Sequence, residues 1–281
     1  MIENAYALLD MLLPYQWLAH AFMKNALLAI LLVTPLFGLL GTMVVSNRMA
    51  FFSDSLGHGA FTGIALGVLF GSKTPLGSLL VFSVLFALLI TYIKNKSRVS
   101  TDTVIGVFSS TAIALGLMVL SYGGGFNKFS AYLIGDLLSI APREIELLTG
   151  VFLSVAAVWV LLFNRLFLVS INPALAASRG VRAAWIEAAF AVVLAVVVAV
   201  SIQWVGILLI NSLLVLPAAA ARNIARCVRQ YHALSVAFAL FSGVAGLVAS
   251  YYADTAAGAT IVLVAALLFF LTFFAGKRMN R

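Results

Sequence analysis

An all-α, polytopic membrane bundle is the fold class that this sequence predicts, on three observations. Its 281 residues are 64% hydrophobic and only 9% charged, with a mean hydropathy of +1.14, far outside the range of a water-soluble globular domain. Apolar runs long enough to cross a bilayer, about 17–25 residues each, fall near 25–46, 49–71, 76–93, 103–121, 145–163, 184–203, 205–221, 233–251 and 258–275. Basic residues collect on one side of that ladder of about nine crossings. With the N-terminus outside, 13 of the 17 Lys and Arg are inside, leaving only Lys24, Lys73, Lys128 and Arg143 outside. The positive-inside bias therefore predicts N-terminus out and C-terminus in. The short turn near Gln203 and the brief run 205–221 are where a count of eight would arise.

The net charge of +8 does not point to nucleic acid, because the basic residues are scattered between apolar spans rather than gathered on one face. A lone cysteine, Cys227, excludes an intrachain disulfide and any cysteine-cluster metal site. Residues 1–24 carry Glu3 and Asp10 and lack the basic start and apolar run of a cleavable signal. The stretch Tyr6 to Phe22, broken by Pro14, Gln16 and His20, reads as a helix lying in the membrane surface. The chain thus reads as one transmembrane domain, 1–281, with an interfacial segment at 1–24.

The second span departs from its neighbours. Met49 to Gly71 reads MAFFSDSLGHGAFTGIALGVLFG and places an aspartate and a histidine inside a crossing. Ionisable groups cost about 2.5–3.5 kcal/mol each at the centre of an inserted helix, which makes such a pair a functional-site candidate. Asp54 and His58 are four residues apart, on one helix face and about 6 Å apart along the axis, so both can touch one ion. The bland alternative is a buried, hydrogen-bonded pair that only stabilises the bundle. Ser55, Gly59, Gly63, Gly67 and Gly71 form a neighbouring row of small residues, the pattern that lets another helix approach closely in lipid.

Later stretches add less chemistry. Glu187 sits near an inner mouth and reads as a snorkelling side chain, while Asn211 and Ser212 in the seventh span read as hydrogen-bond partners of neighbouring helices. Between the fifth and sixth spans, Asn172 is a fitting N-cap, Pro173 a first helical residue and Gly180 a terminator, enclosing Ala174, Leu175, Ala176, Ala177, Ser178 and Arg179 in a short cytoplasmic helix. Its small surface suits contact with another body; a plain connector is the alternative. Gly71-Ser72-Lys73-Thr74 lacks the glycine spacing of a phosphate loop, so the chain carries no nucleotide site of its own. No His-Glu-x-x-His, Gly-x-Ser-x-Gly or paired-carboxylate motif is present, which weighs against an intramembrane hydrolase.

Several of these stretches, RMAFFSDSLGHGAFTGIALG at 48–67, AYLIGDLLSIAPREI at 131–145, SINPALAASRG at 170–180, VGILLINSLLVLPAAAARNIAR at 205–226 and YYADTAAGATIVLVAALLFF at 251–270, carry a resemblance. Together they resemble the permease subunits of ATP-binding-cassette importers for zinc, manganese or iron, the zinc-uptake members most of all. That resemblance implies a homodimer in the bacterial inner membrane, two copies of a cytoplasmic ATP-binding subunit, and an extracytoplasmic metal-binding protein that delivers the ion. ATP hydrolysis would then reside in the partner, the permease being no enzyme and holding no permanent cofactor. It further implies that residues 172–180 are the coupling helix that docks on the ATPase, and that Asp54 and His58 face the path as a metal-contacting gate.

A two-fold axis between two second spans would gather two carboxylates and two imidazoles, a donor set that suits tetrahedral Zn2+ and is acceptable to Mn2+. Convergence in only one conformational state would keep such a site from trapping its cargo. The alternatives are a manganese or iron importer of the same architecture and, from other classes, a metal-dependent intramembrane enzyme or a secondary transporter.

Overall fold

In the computed structural model, which describes residues 6–7, 9–11, 15–71, 75–122 and 135–279, helices form wherever the apolar runs fall. They are α1 (Ala21–Ser46), α2 (Ala50–Leu69), α3 (Pro75–Lys96), α4 (Thr101–Tyr122), α5 (Pro142–Ile171), α6 (Pro173–Ser178), α7 (Ala183–Val205), α8 (Ile207–Ile224), α9 (Val228–Ala253) and α10 (Ala257–Met279). Two 3₁₀ turns, Gln16–Leu18 and Leu137–Ser139, complete the described elements. Each of the nine apolar runs is helical. Among the described residues seven helices have the length and apolarity of a span. The other two are α8, whose apolar part Leu209–Ile224 is short, and α2, whose hydropathy is lowered by Asp54, His58 and its glycines. Lys73, Lys128, Arg281, the loop 122–128 beyond Tyr122 and the fragment 72–74 lie outside the described residues.

The chain divides into two compact units, 1–42 with 136–153 and 212–281, and 43–135 with 154–211. In the first, close helix packing rests on small residues. A Cβ added at Gly38 would lie 2.8 Å from the Val236 backbone, and one at Gly246 2.5 Å from the Ile261 backbone, so α9 touches α1 and α10 almost backbone to backbone. Ser235 Oγ donates to the Gly38 carbonyl at 2.6 Å, satisfying a buried hydroxyl across the same contact. The described part of the N-terminal segment is fastened to α1 by Lys24 Nζ, 2.6 Å from the Asp10 carboxylate, and by the Tyr6 hydroxyl on Asn25. Trp17 and Leu18 are buried, whereas His20 is exposed.

The second unit is built around α2, which packs against α3, α4 and α7. Thr62 Oγ1 donates to the Ala112 carbonyl and ties α2 to α4. Glu187 is paired as well as partly exposed: its Oε2 accepts from Lys94 Nζ at 3.1 Å, joining α7 to α3. Pairing is the cheaper outcome for two opposite charges near apolar surroundings. The break between α7 and α8 is a single residue, Gly206, at φ +77°. Gly135, also at positive φ, lies so close that a Cβ on it would come within 2.3 Å of the Gly206 nitrogen. Only residues without side chains allow that backbone contact.

Candidate metal site

Asp54 and His58 occupy the middle turns of α2, and their surroundings set them apart from the rest of that helix. From Phe52 to Ala65 every residue is buried except these two. Their side chains are 39% and 31% exposed, for Asp54 and His58 respectively. The only ionisable groups of the helix are therefore also the only groups in its central turns that reach an open surface. His58 Nε2 stands 3.6 Å from Asp54 Oδ2, beyond hydrogen-bond range. A buried, mutually hydrogen-bonded pair, the structural alternative raised by the sequence, is thus not what forms.

Asp54 finds its hydrogen bond elsewhere. Asn211 Nδ2 donates to Asp54 Oδ1 at 3.3 Å, and Asn211 Oδ1 accepts from Ser53 Oγ at 2.8 Å. Ser53 Oγ is also 2.8 Å from the Ala50 carbonyl. A hydroxyl has one hydrogen, so the two acceptors share it, and the amide oxygen of Asn211 keeps unused acceptor capacity. The pairing follows from helix register. Gly57 lets the start of α8 come close, a Cβ there meeting Ile207 Cγ2 at 2.6 Å, and one turn along each helix brings Asn211 beside Ser53 and Asp54. All of these residues belong to the second unit. The sequence marked Asn211 as a polar residue inside an apolar run that bonds a neighbouring helix; which helix, and that it meets the Asp54 carboxylate, had no local signal.

The remaining site residues separate into distinct surroundings. Gly59 and Gly63 face α3: added Cβ atoms would stand 2.7 Å from the Phe86 ring and 2.9 Å from Phe82 Cβ. Ser55 and Gly67 are buried, and the Ser55 hydroxyl reaches no acceptor among the described residues. Gly71 leaves the row, lying past the helix end at φ +73° with open space around its Cβ position, so it serves a turn. In α6, Asn172 Oδ1 accepts from the Leu175 N–H at 3.0 Å, Pro173 is in the first turn and Gly180 exits at φ +75°. Ala176 is fully buried while Ala174, Ala177, Ser178 and Arg179 are exposed, leaving a small, open outer face. Among the described residues no group of three or more His, Cys, Asp or Glu gathers.

A family model described as the ABC 3 transport family matches residues 19–276. The manganese import system permease protein ScaB of Streptococcus parasanguinis is 31% identical over 260 residues, 92% of either chain. The high-affinity zinc uptake system membrane protein ZnuB of Haemophilus influenzae is 30% identical over 241 residues, 85% of this chain and 92% of its own. Among solved structures, PsaBC from Streptococcus pneumoniae in complex with Fab superposes with a TM-score of 0.80 at 28% identity, covering 97% of this chain and 95% of that one. With a family match over almost its whole length and spans to fit it, the chain belongs to the ABC 3 transport family and is a multi-pass membrane protein.

Proposed function

We propose that this protein is the permease subunit of an ATP-driven importer of divalent transition metal, most favourably Zn2+, with Asp54 and His58 contacting the ion on its way. The observation that carries this reading is the exposure pattern of the stretch Phe52 to Ala65 of α2, in which only these two donors open from otherwise buried turns. Their separation supports a shared ion. Two donors about 2.1 Å from one ion stand about 3.4 Å apart at a tetrahedral angle and about 3.0 Å apart at an octahedral one, and the observed gap of 3.6 Å lies nearer the first. One protomer supplies a carboxylate and an imidazole; a second copy across a two-fold axis would double them to a tetrahedral set. Manganese is the second reading, because relatives of the same length are named as manganese permeases.

Asn211 acts in this scheme as a positioning residue, holding the Asp54 carboxylate by its amide N–H. Outer partners of metal ligands are typically worth about 10–100-fold in affinity, and Asn211→Leu is expected to weaken metal uptake by about that factor without unfolding the chain. The assay is uptake of radioactive zinc or manganese into proteoliposomes holding the permease, its ATP-binding subunit and the external metal-binding protein. Uptake without ATP would instead assign the chain to secondary transport. Metal-dependent turnover of a substrate by the permease alone would assign it to the enzyme class.

The whole chain, 1–281, acts here as one permease domain with its C-terminus and residues 172–180 on the cytoplasmic side, and α6 meets the ATP-binding subunit. Support comes from its outer face: small residues, a capped end at Asn172 and no long apolar side chain except Leu175. Because Ala176 is fully buried, bulk there would disturb the permease itself, so Ala177 is the position to test. Overpacking a close contact costs about 1–3 kcal/mol, or about 5- to 150-fold in docking affinity. Ala177→Trp is expected to lower co-purification of the ATP-binding subunit and ATP-driven uptake to that extent, with the melting temperature unchanged. Full subunit binding by this variant would remove α6 from the coupling role.

A further inference from the structure

Away from Asp54 and His58, basic side chains gather around a cavity of about 640 Å³ at the ends of α5, α6 and α7 proposed as cytoplasmic. Its lining includes Arg165, Arg179, Arg182 and Trp185, and no acidic residue. Among the described residues none of the three guanidinium groups is ion-paired. Three unneutralised cations around one cavity repel each other and call for an anion with several acceptor oxygens, which planar guanidinium groups bind in bidentate fashion.

Depth identifies the source of that anion. The 30 residues of α5 make a helix about 45 Å long, about the thickness of a bilayer with its headgroups. Arg165 lies six residues before the end of α5 at Ile171, about 9 Å along the axis, so an α5 that crosses the bilayer from end to end would hold its Cα near the border between hydrocarbon and headgroup layers. One turn deeper on the same face, Leu161 is 75% exposed, and Trp185 at the rim is 71% exposed. An apolar strip below, an aromatic residue at the border and arginines above is the arrangement that a phospholipid satisfies and a dissolved ion does not.

We infer that this cavity binds the phosphate of an anionic phospholipid, with Arg165 and Arg182 holding the headgroup and an acyl chain lying over Leu161. Basic pockets beside membrane-spanning helices recognise lipid headgroups through this combination of charge and depth. The lipid is assigned to Arg165 and Arg182, which lie outside the segment 172–180 proposed to meet the ATP-binding subunit, although Arg179 and Gly180 of that segment line the same cavity.

Native mass spectrometry of the purified full chain, released from nanodiscs containing equal phosphatidylglycerol and phosphatidylcholine, tests it. Wild type is expected to retain phosphatidylglycerol selectively, and Arg165→Gln with Arg182→Gln to retain it about thirtyfold more weakly. The Arg165→Lys, Arg182→Lys variant keeps the charge and most of the lipid, which separates loss of the site from loss of the fold. Equal retention by wild type and the glutamine variant overturns the inference, as does parallel loss of phosphatidylcholine. Calorimetric binding of inorganic phosphate that disappears in the glutamine variant while lipid retention stays constant would make this a free-anion site instead. Loss of the ATP-binding subunit with lipid retention unchanged would give the arginines to protein docking, and either result overturns the lipid assignment.

Discussion

Asp54→Asn and His58→Gln are each expected to reduce metal uptake to background while leaving the amount of folded permease nearly unchanged. The reasoning rests on what each side chain touches. If the two residues served only stability, removing one would strand its partner at a cost of about 1–3 kcal/mol, and replacing both with apolar residues would restore most of the loss. Yet they are 3.6 Å apart and open to the surface, so neither depends on the other for a hydrogen bond. Interhelical hydrogen bonds in membranes average only about 0.6 kcal/mol, so even the contact of Asp54 with Asn211 is a small part of the fold's stability. Uptake, by contrast, loses half of the chain's donor pair with either substitution. The double variant Asp54→Leu, His58→Phe is therefore expected to remain inactive, with a melting temperature close to that of wild type. His58→Cys retains a soft ligand and is expected to shift residual uptake toward zinc over manganese. Near-normal uptake by the apolar double variant would leave α2 as a packing helix and remove the metal role.

Gly63→Ala is expected to give the largest stability loss among conservative changes in α2, and Gly59→Ala a much smaller one. Both glycines face α3, but they face different atoms. A Cβ at Gly59 meets the Phe86 ring at 2.7–2.8 Å, and a ring can turn aside. At Gly63 the neighbours are Phe82 Cβ at 2.9 Å and the Leu79 Cα at 3.0 Å, which move only if the helix moves. Overpacking against backbone costs about 1–3 kcal/mol, and displacing α3 also strains the Lys94–Glu187 pair that joins it to α7. Thermal melting of the detergent-solubilised protein, read by tryptophan fluorescence, checks the order. A Gly59→Ala protein that melts below Gly63→Ala would mean that α2 and α3 meet in a different register.

These expectations draw on two kinds of information. The sequence alone determined whatever one helix decides within itself. Apolar run lengths located nine helices, because a span must satisfy its own backbone in lipid. Capping rules located α6, since Asn172 and Pro173 act within one turn, and the four-residue spacing put Asp54 and His58 on one face.

Tertiary structure decided which face meets which helix. In lipid, all neighbours are equally apolar, so no burial gradient tells a glycine row whether it faces α3 or α4. Asn211 reaches Asp54 across 157 residues of sequence, and that meeting depends on the axial register of α2 against α8, set by Gly57 and Ile207. Glu187 likewise looked like an end-of-span charge until Lys94 was placed beside it, and Gly71 looked like a packing residue until the helix ended before it. Ala176 and Ala177 are neighbours of the same type, yet one is buried and the other open, a difference that arises only when α6 is packed into the fold. Local rules see the helix; only the packed unit shows what stands opposite each side chain.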